Sequence, residues 1–218
     1  MKDTPERSKH REWIAMQRDT VRDISKASDS YGLLLGLVVI DYVVLSVDWT
    51  RGWPTIASTA LIGLTALLAF HTSHVRGKFL TVVQAAVVVA MVAALTSSVF
   101  GGDLGRGVVF VLCALLILTS PIAVLSRILV HEQVTVETLL GAISVFVLIG
   151  LLYAFADLAI QLLSGHSFFV QSGTFDAADF VYFSFITMTT VGYGDLSPAV
   201  GIPRTMAVTE ALVGQIFL

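Results

Sequence analysis

Hydrophobic positions along the chain fall into long blocks separated by short polar breaks. Apolar runs occupy residues 31–47, 54–70, 79–100, 107–125 and 136–163, and a final run begins near residue 204. Runs of about 20 residues are long enough to cross a bilayer as helices, so the pattern predicts an all-α membrane protein with six spans. Between the fifth and the last run lies an aromatic, helix-compatible segment, residues 177–189, followed by Thr189-Thr190-Val191-Gly192-Tyr193-Gly194-Asp195. Together these read as a re-entrant helix and loop.

Composition agrees with the pattern. The chain is 56% hydrophobic and 13% charged, with a mean hydropathy of +0.84, which is a membrane composition. Seven of the 13 lysines and arginines and six of the 16 acidic residues fall in the first 30 positions. The net charge of −3 therefore says little about partners, and nothing indicates nucleic acid. The segment 1–30 lacks the apolar core of a signal peptide. Trp13, Ile14, Met16, Val21 and Ile24 fall loosely on one side of a helix whose other side carries Arg11, Arg18, Arg22 and Lys26. Such a helix either lies on the inner membrane surface or stands solvated.

Orientation follows from the basic residues of the connecting loops. With the N-terminus inside, Arg76, Lys78 and Arg127 join the seven N-terminal basic residues on the cytoplasmic side, against Arg51, Arg106 and Arg204 outside. This predicts a multi-pass protein of the plasma or inner membrane with a cytoplasmic N-terminus. Cys113, alone in an apolar run, reads as a core residue. His71, His74, His131 and His166 show no metal-ligand spacing. With no nucleophile, metal or nucleotide constellation and no cofactor motif, an enzyme is the least favoured class.

The stretch Thr190 to Gly194 carries the chemistry. A dehydrated cation needs oxygens at short range, and backbone carbonyls aimed at one axis can supply them. Successive carbonyls face the same way only where some residues take positive φ, which glycine does without steric cost, and Gly192 and Gly194 stand there. The Thr190 hydroxyl adds an oxygen at the inner end, while Val191 and Tyr193 turn their side chains into the wall behind. Five extended residues span at most roughly 15 Å, enough for a short column of ions.

Residues 179–195, DFVYFSFITMTTVGYGD, closely resemble the pore segment of potassium channels, and residues 134–218 are similar to their pore domain. The layout resembles bacterial six-span channels without voltage-sensor charges. The resemblance implies a homotetramer in membrane lipid that conducts potassium passively, with ions held at Thr190, Val191, Gly192 and Tyr193, bounded by Gly194. Thr189, Asp195, Tyr182 and Phe183 are the implied filter supports, the last two as an aromatic cuff. Tyr182 either donates a hydrogen bond to Asp195 or packs as an ordinary ring. Ile186 stands where some family members carry a glutamate.

The remaining expectations concern the flanks. Asp176, with Asp179 three residues on, is expected to cap the pore helix. Residues 107–125 contain no Lys or Arg, so the four-helix unit 31–125 lacks voltage-sensor charges and steep voltage activation is not expected. Pro121 is expected to kink or soften that span. Residues 126–133 read as a cytoplasmic linker. By resemblance Gly214 is the hinge of the inner helix, with close helix packing as the alternative, and Gln215 faces the cavity. Glu210 is expected to hydrogen-bond toward the pore helix. From Arg204 to Leu218 the helix spans only roughly 22 Å, short of a bilayer, and is expected to be incomplete. The competing reading of the whole chain is a non-conducting structural or regulatory membrane subunit.

Overall fold

The structure is a computed structural model and describes residues 32–45, 53–72, 78–100, 102–128 and 136–217. The N-terminal segment 1–30 and the linker from residue 129 lie outside the described residues. Those described form helices α1 (Gly32–Leu45), α2 (Trp53–Thr72), α3 (Lys78–Phe100), α4 (Asp103–Ile128), α5 (Val136–Ser164), α6 (Ala177–Met188) and α7 (Ile202–Phe217). Among them, Asp103–Pro121 and Thr138–Ser164 are long and apolar enough to cross a membrane, and α1, α2, α3 and α6 hold shorter apolar stretches.

Polarity is arranged for lipid. Leu33, Val82, Val88, Val92, Leu115 and Leu139 point outward, while Asp41, Thr65, Ser120, Asp157, Ser184 and Glu210 are buried. In water that distribution would expose apolar surface and desolvate polar groups at once; in hydrocarbon the outward side chains match their surroundings. Several hydroxyls in the apolar helices bond back to their own helix, as Thr119 does to the Leu116 carbonyl at 2.6 Å and Ser144 to that of Leu140 at 2.8 Å.

The most extensive helix pair is α4 against α5, with Phe110 stacked on Phe155 at 5.5 Å between ring centroids. Helices α2, α3 and α4 pack together on one side, and α6 packs against both α5 and α7 on the other. Helix α4 runs through Pro121 to Ile128, three residues past the expected end of its span. On α1, the Tyr42 ring meets the Phe185 ring of α6 edge-on at 5.1 Å, so α1 touches α6 directly.

Candidate functional site

Helix α6 starts where its cap dictates. The Asp176 carboxylate accepts from the N–H groups of Ala178 at 2.8 Å and Asp179 at 3.3 Å, and the Asp179 carboxylate accepts from the Asp176 N–H at 2.9 Å. This reciprocal capping box satisfies N–H groups that the first turn of a helix leaves without an intrahelical partner. At the other end, the Thr189 hydroxyl donates to the Phe185 carbonyl at 2.6 Å, and the chain leaves the helix there.

From Thr190 the backbone changes hand at every residue. φ is +60° at Thr190, +49° at Gly192 and +80° at Gly194, whereas Val191 and Tyr193 are not positive. Positive φ at the two glycines matches the sequence-based expectation. Thr190 was not anticipated: a β-branched residue in the left-handed region costs on the order of 1–3 kcal/mol and concentrates at functional sites. The Thr190 N–H donates to the Thr187 carbonyl at 3.0 Å and the Gly192 N–H to that of Ile186 at 3.0 Å. Amides on this stretch are thus turned toward α6. The carbonyls of Thr190, Val191, Gly192 and Tyr193 accept no hydrogen bond from the described residues. Val191 and Tyr193 remain 50% and 72% exposed, because one chain offers their side chains no wall.

The loop is braced from behind at its outer end. The Tyr182 hydroxyl donates to Asp195 Oδ2 at 2.7 Å. Beyond Asp195 the chain pairs antiparallel with the loop after α5, as the Val170 N–H donates to the Ser197 carbonyl at 2.9 Å and the Ala199 N–H to the Phe168 carbonyl at 2.8 Å. Gln161 and Gln171 fasten this ladder by accepting from the N–H groups of Phe168 and Ser197, each at 3.0 Å. Phe168 and Phe169 are buried beneath it, stacked among Phe180 and Phe183 with centroids 4.9 to 6.0 Å apart. Phe183 therefore holds the loop after α5, and no ring contact among the described residues joins it to Tyr193.

Residues 136–218 match the family model described as ion channel. This part of the chain is similar to the ion channel family. No curated protein and no solved structure matches the chain. The match begins at α5 and covers the capped helix, the alternating loop and α7, so everything described above for the site lies in the matched part, called the channel domain below.

Behind the loop, the channel domain is held by contacts that the sequence only hinted at. The Ser184 hydroxyl sits between the Gly150 carbonyl of α5, at 2.7 Å, and Glu210 Oε1 of α7. A hydroxyl has one hydrogen, so Ser184 donates to only one of these acceptors at a time. With a proton on Glu210 both bonds form: Glu210 donates to Ser184 Oγ, and Ser184 donates to Gly150. Asp157 of α5 is also fully buried, and neither of its carboxyl oxygens has a hydrogen-bond partner among the described residues. The bond of Glu210 toward the pore helix was anticipated. Ser184 as its partner was not, although a serine inside an aromatic run was a usable signal.

Gly214 is buried in α7 for a reason of space. A Cβ there would lie 2.8 Å from the Met188 Cα and closer still to its carbonyl oxygen. The glycine thus lets α7 cross the end of α6 in backbone contact, which is the close-packing alternative to a hinge. The neighbouring Gln215 is exposed.

Tyr182→Phe is the direct test of the outer brace. It removes one hydroxyl and leaves the ring, so Asp195 loses its donor while packing persists. We expect conduction to decline faster during sustained openings in single-channel records. An unchanged time course would show that the bond does not hold the loop.

Proposed function

We propose that the protein is a potassium-selective channel subunit that assembles as a homotetramer in the cell membrane. The observation that carries this reading is the run Thr190 to Gly194, in which alternating φ turns amides toward α6 and leaves four consecutive carbonyls without donors. Unbonded carbonyls are costly unless water or an ion serves them. Four copies around one axis would stack them into rings able to replace the hydration shell of potassium. The exposed Val191 and Tyr193 support assembly, since neighbouring copies would supply the wall they lack.

In this reading the chain crosses the membrane six times with its N-terminus in the cytoplasm, and α1 to α4 form a peripheral unit without voltage-sensor charges. Conduction is passive and needs no cofactor or catalytic group; potassium is the permeant species. Flux into liposomes holding the purified protein tests the proposal, with Gly192→Ala as the decisive variant. At φ +49° an added Cβ is strained, at about 1–2 kcal/mol in each subunit. We expect potassium uptake that exceeds sodium uptake and is lost in Gly192→Ala. Uptake unaffected by the substitution would place the pathway elsewhere.

A further inference from the structure

A second group of unbonded oxygens lies outside the channel domain match, in the bundle of α1, α2 and α4. Asp41 of α1, Thr65 of α2 and Ser120 of α4 are 2%, 3% and 1% exposed and line one buried space with Val38, Ile62, Ile117 and Leu148. Asp41 Oδ1, Thr65 Oγ1 and Ser120 Oγ each lack a hydrogen-bond partner among the described residues. Their neighbours show that this is not the default: Thr96, Ser97, Thr119 and Ser144 all bond back to carbonyls of their own helices. A fourth oxygen stands close by in sequence. Pro121 has no N–H, so the carbonyl of Ile117, four residues before it, loses its helical donor.

We propose that Asp41, Thr65, Ser120 and the Ile117 carbonyl bind a single sodium ion. Carboxylate, hydroxyl and carbonyl oxygens form a hard donor set suited to a hard cation. Charge selects a monovalent ion, because no basic side chain among the described residues pairs with Asp41 and one carboxylate balances one positive charge. A divalent ion would leave uncompensated charge in the membrane interior. The space these side chains line has no room for a water molecule, which favours a bare ion and, of the monovalent ions, the smaller sodium over potassium. Leu148 and Leu151 of α5 line the same space, and Tyr42, next to Asp41, packs on Phe185 of α6. An ion here would sit at the junction between the peripheral bundle and the channel domain.

Binding of radioactive sodium to the purified full chain in nanodiscs tests this, with potassium, lithium and choline as competitors at fixed pH and ionic strength. Wild type, Asp41→Asn, Thr65→Val and Ser120→Ala are compared; all keep the channel domain intact, so cation binding in the pore contributes equally to each. We expect sodium binding that potassium competes for poorly. It should be lost in Asp41→Asn and weakened at least about tenfold in Thr65→Val and Ser120→Ala. If Asp41→Asn fails to fold, the two hydroxyl variants decide. Sodium binding equal in all four proteins would overturn the proposal. So would absent binding together with a melting temperature that responds at Asp41 only to pH, which would mark a protonated acid and no ion.

Discussion

Gly214→Ala is expected to destabilise the channel domain by about 1–3 kcal/mol, although alanine is the better helix former by about 1 kcal/mol. The sign is decided by what the new methyl meets. At Gly214 it would strike the Met188 carbonyl and Cα, the latter at 2.8 Å, and a backbone cannot turn aside as a side chain can. Either α7 withdraws from α6 or the end of α6 shifts, and the loop that starts at Thr189 shifts with it. Gly36 supplies the internal control, since a Cβ there meets nothing within 4 Å. Thermal melting of the purified protein in nanodiscs should show Gly36→Ala unchanged or raised and Gly214→Ala lowered. Equal melting of the two variants would mean that α7 does not press on Met188.

Ser184→Ala should be the other costly substitution. It leaves the Gly150 carbonyl and Glu210 Oε1 without their shared hydroxyl, at a position with no solvent access, for a loss on the order of 3 kcal/mol. Glu210→Gln should cost much less. The amide can donate to Ser184 Oγ while Ser184 still donates to Gly150, so the three helices remain joined. The comparison uses the melting temperature of the purified protein. If Ser184→Ala proves as mild as Glu210→Gln, the hydroxyl does not link α5, α6 and α7.

These two positions also mark where the sequence stops being informative. Asp176 and Asp179 could be read as a cap because both bonds close within three residues, and Gly192 and Gly194 declare their backbone freedom by lacking a side chain. Ser184 and Glu210 are 26 residues apart, and nothing local says that they meet. The burial of Phe168 and Phe169 beneath the ladder depends equally on partners from another helix. Gly214 announced a constraint, but a hinge and a close crossing leave the same mark on a sequence; only the position of Met188 separates them. Thr190 was hidden for the opposite reason, since its own type argues against the φ it adopts. In the first four helices apolarity gave the helices and little else, and the grouping of Asp41, Thr65 and Ser120 arises from packing among three of them.

The central claim is that the loop from Thr190 to Gly194 conducts potassium and rejects sodium. The reversal potential of currents in a planar bilayer, with potassium on one side and sodium on the other, tests it most directly. The account predicts a reversal potential displaced far from zero in the sense of potassium leaving its own side in wild type, and no potassium current in Gly192→Ala. Current through the wild-type protein that reverses near zero would contradict it.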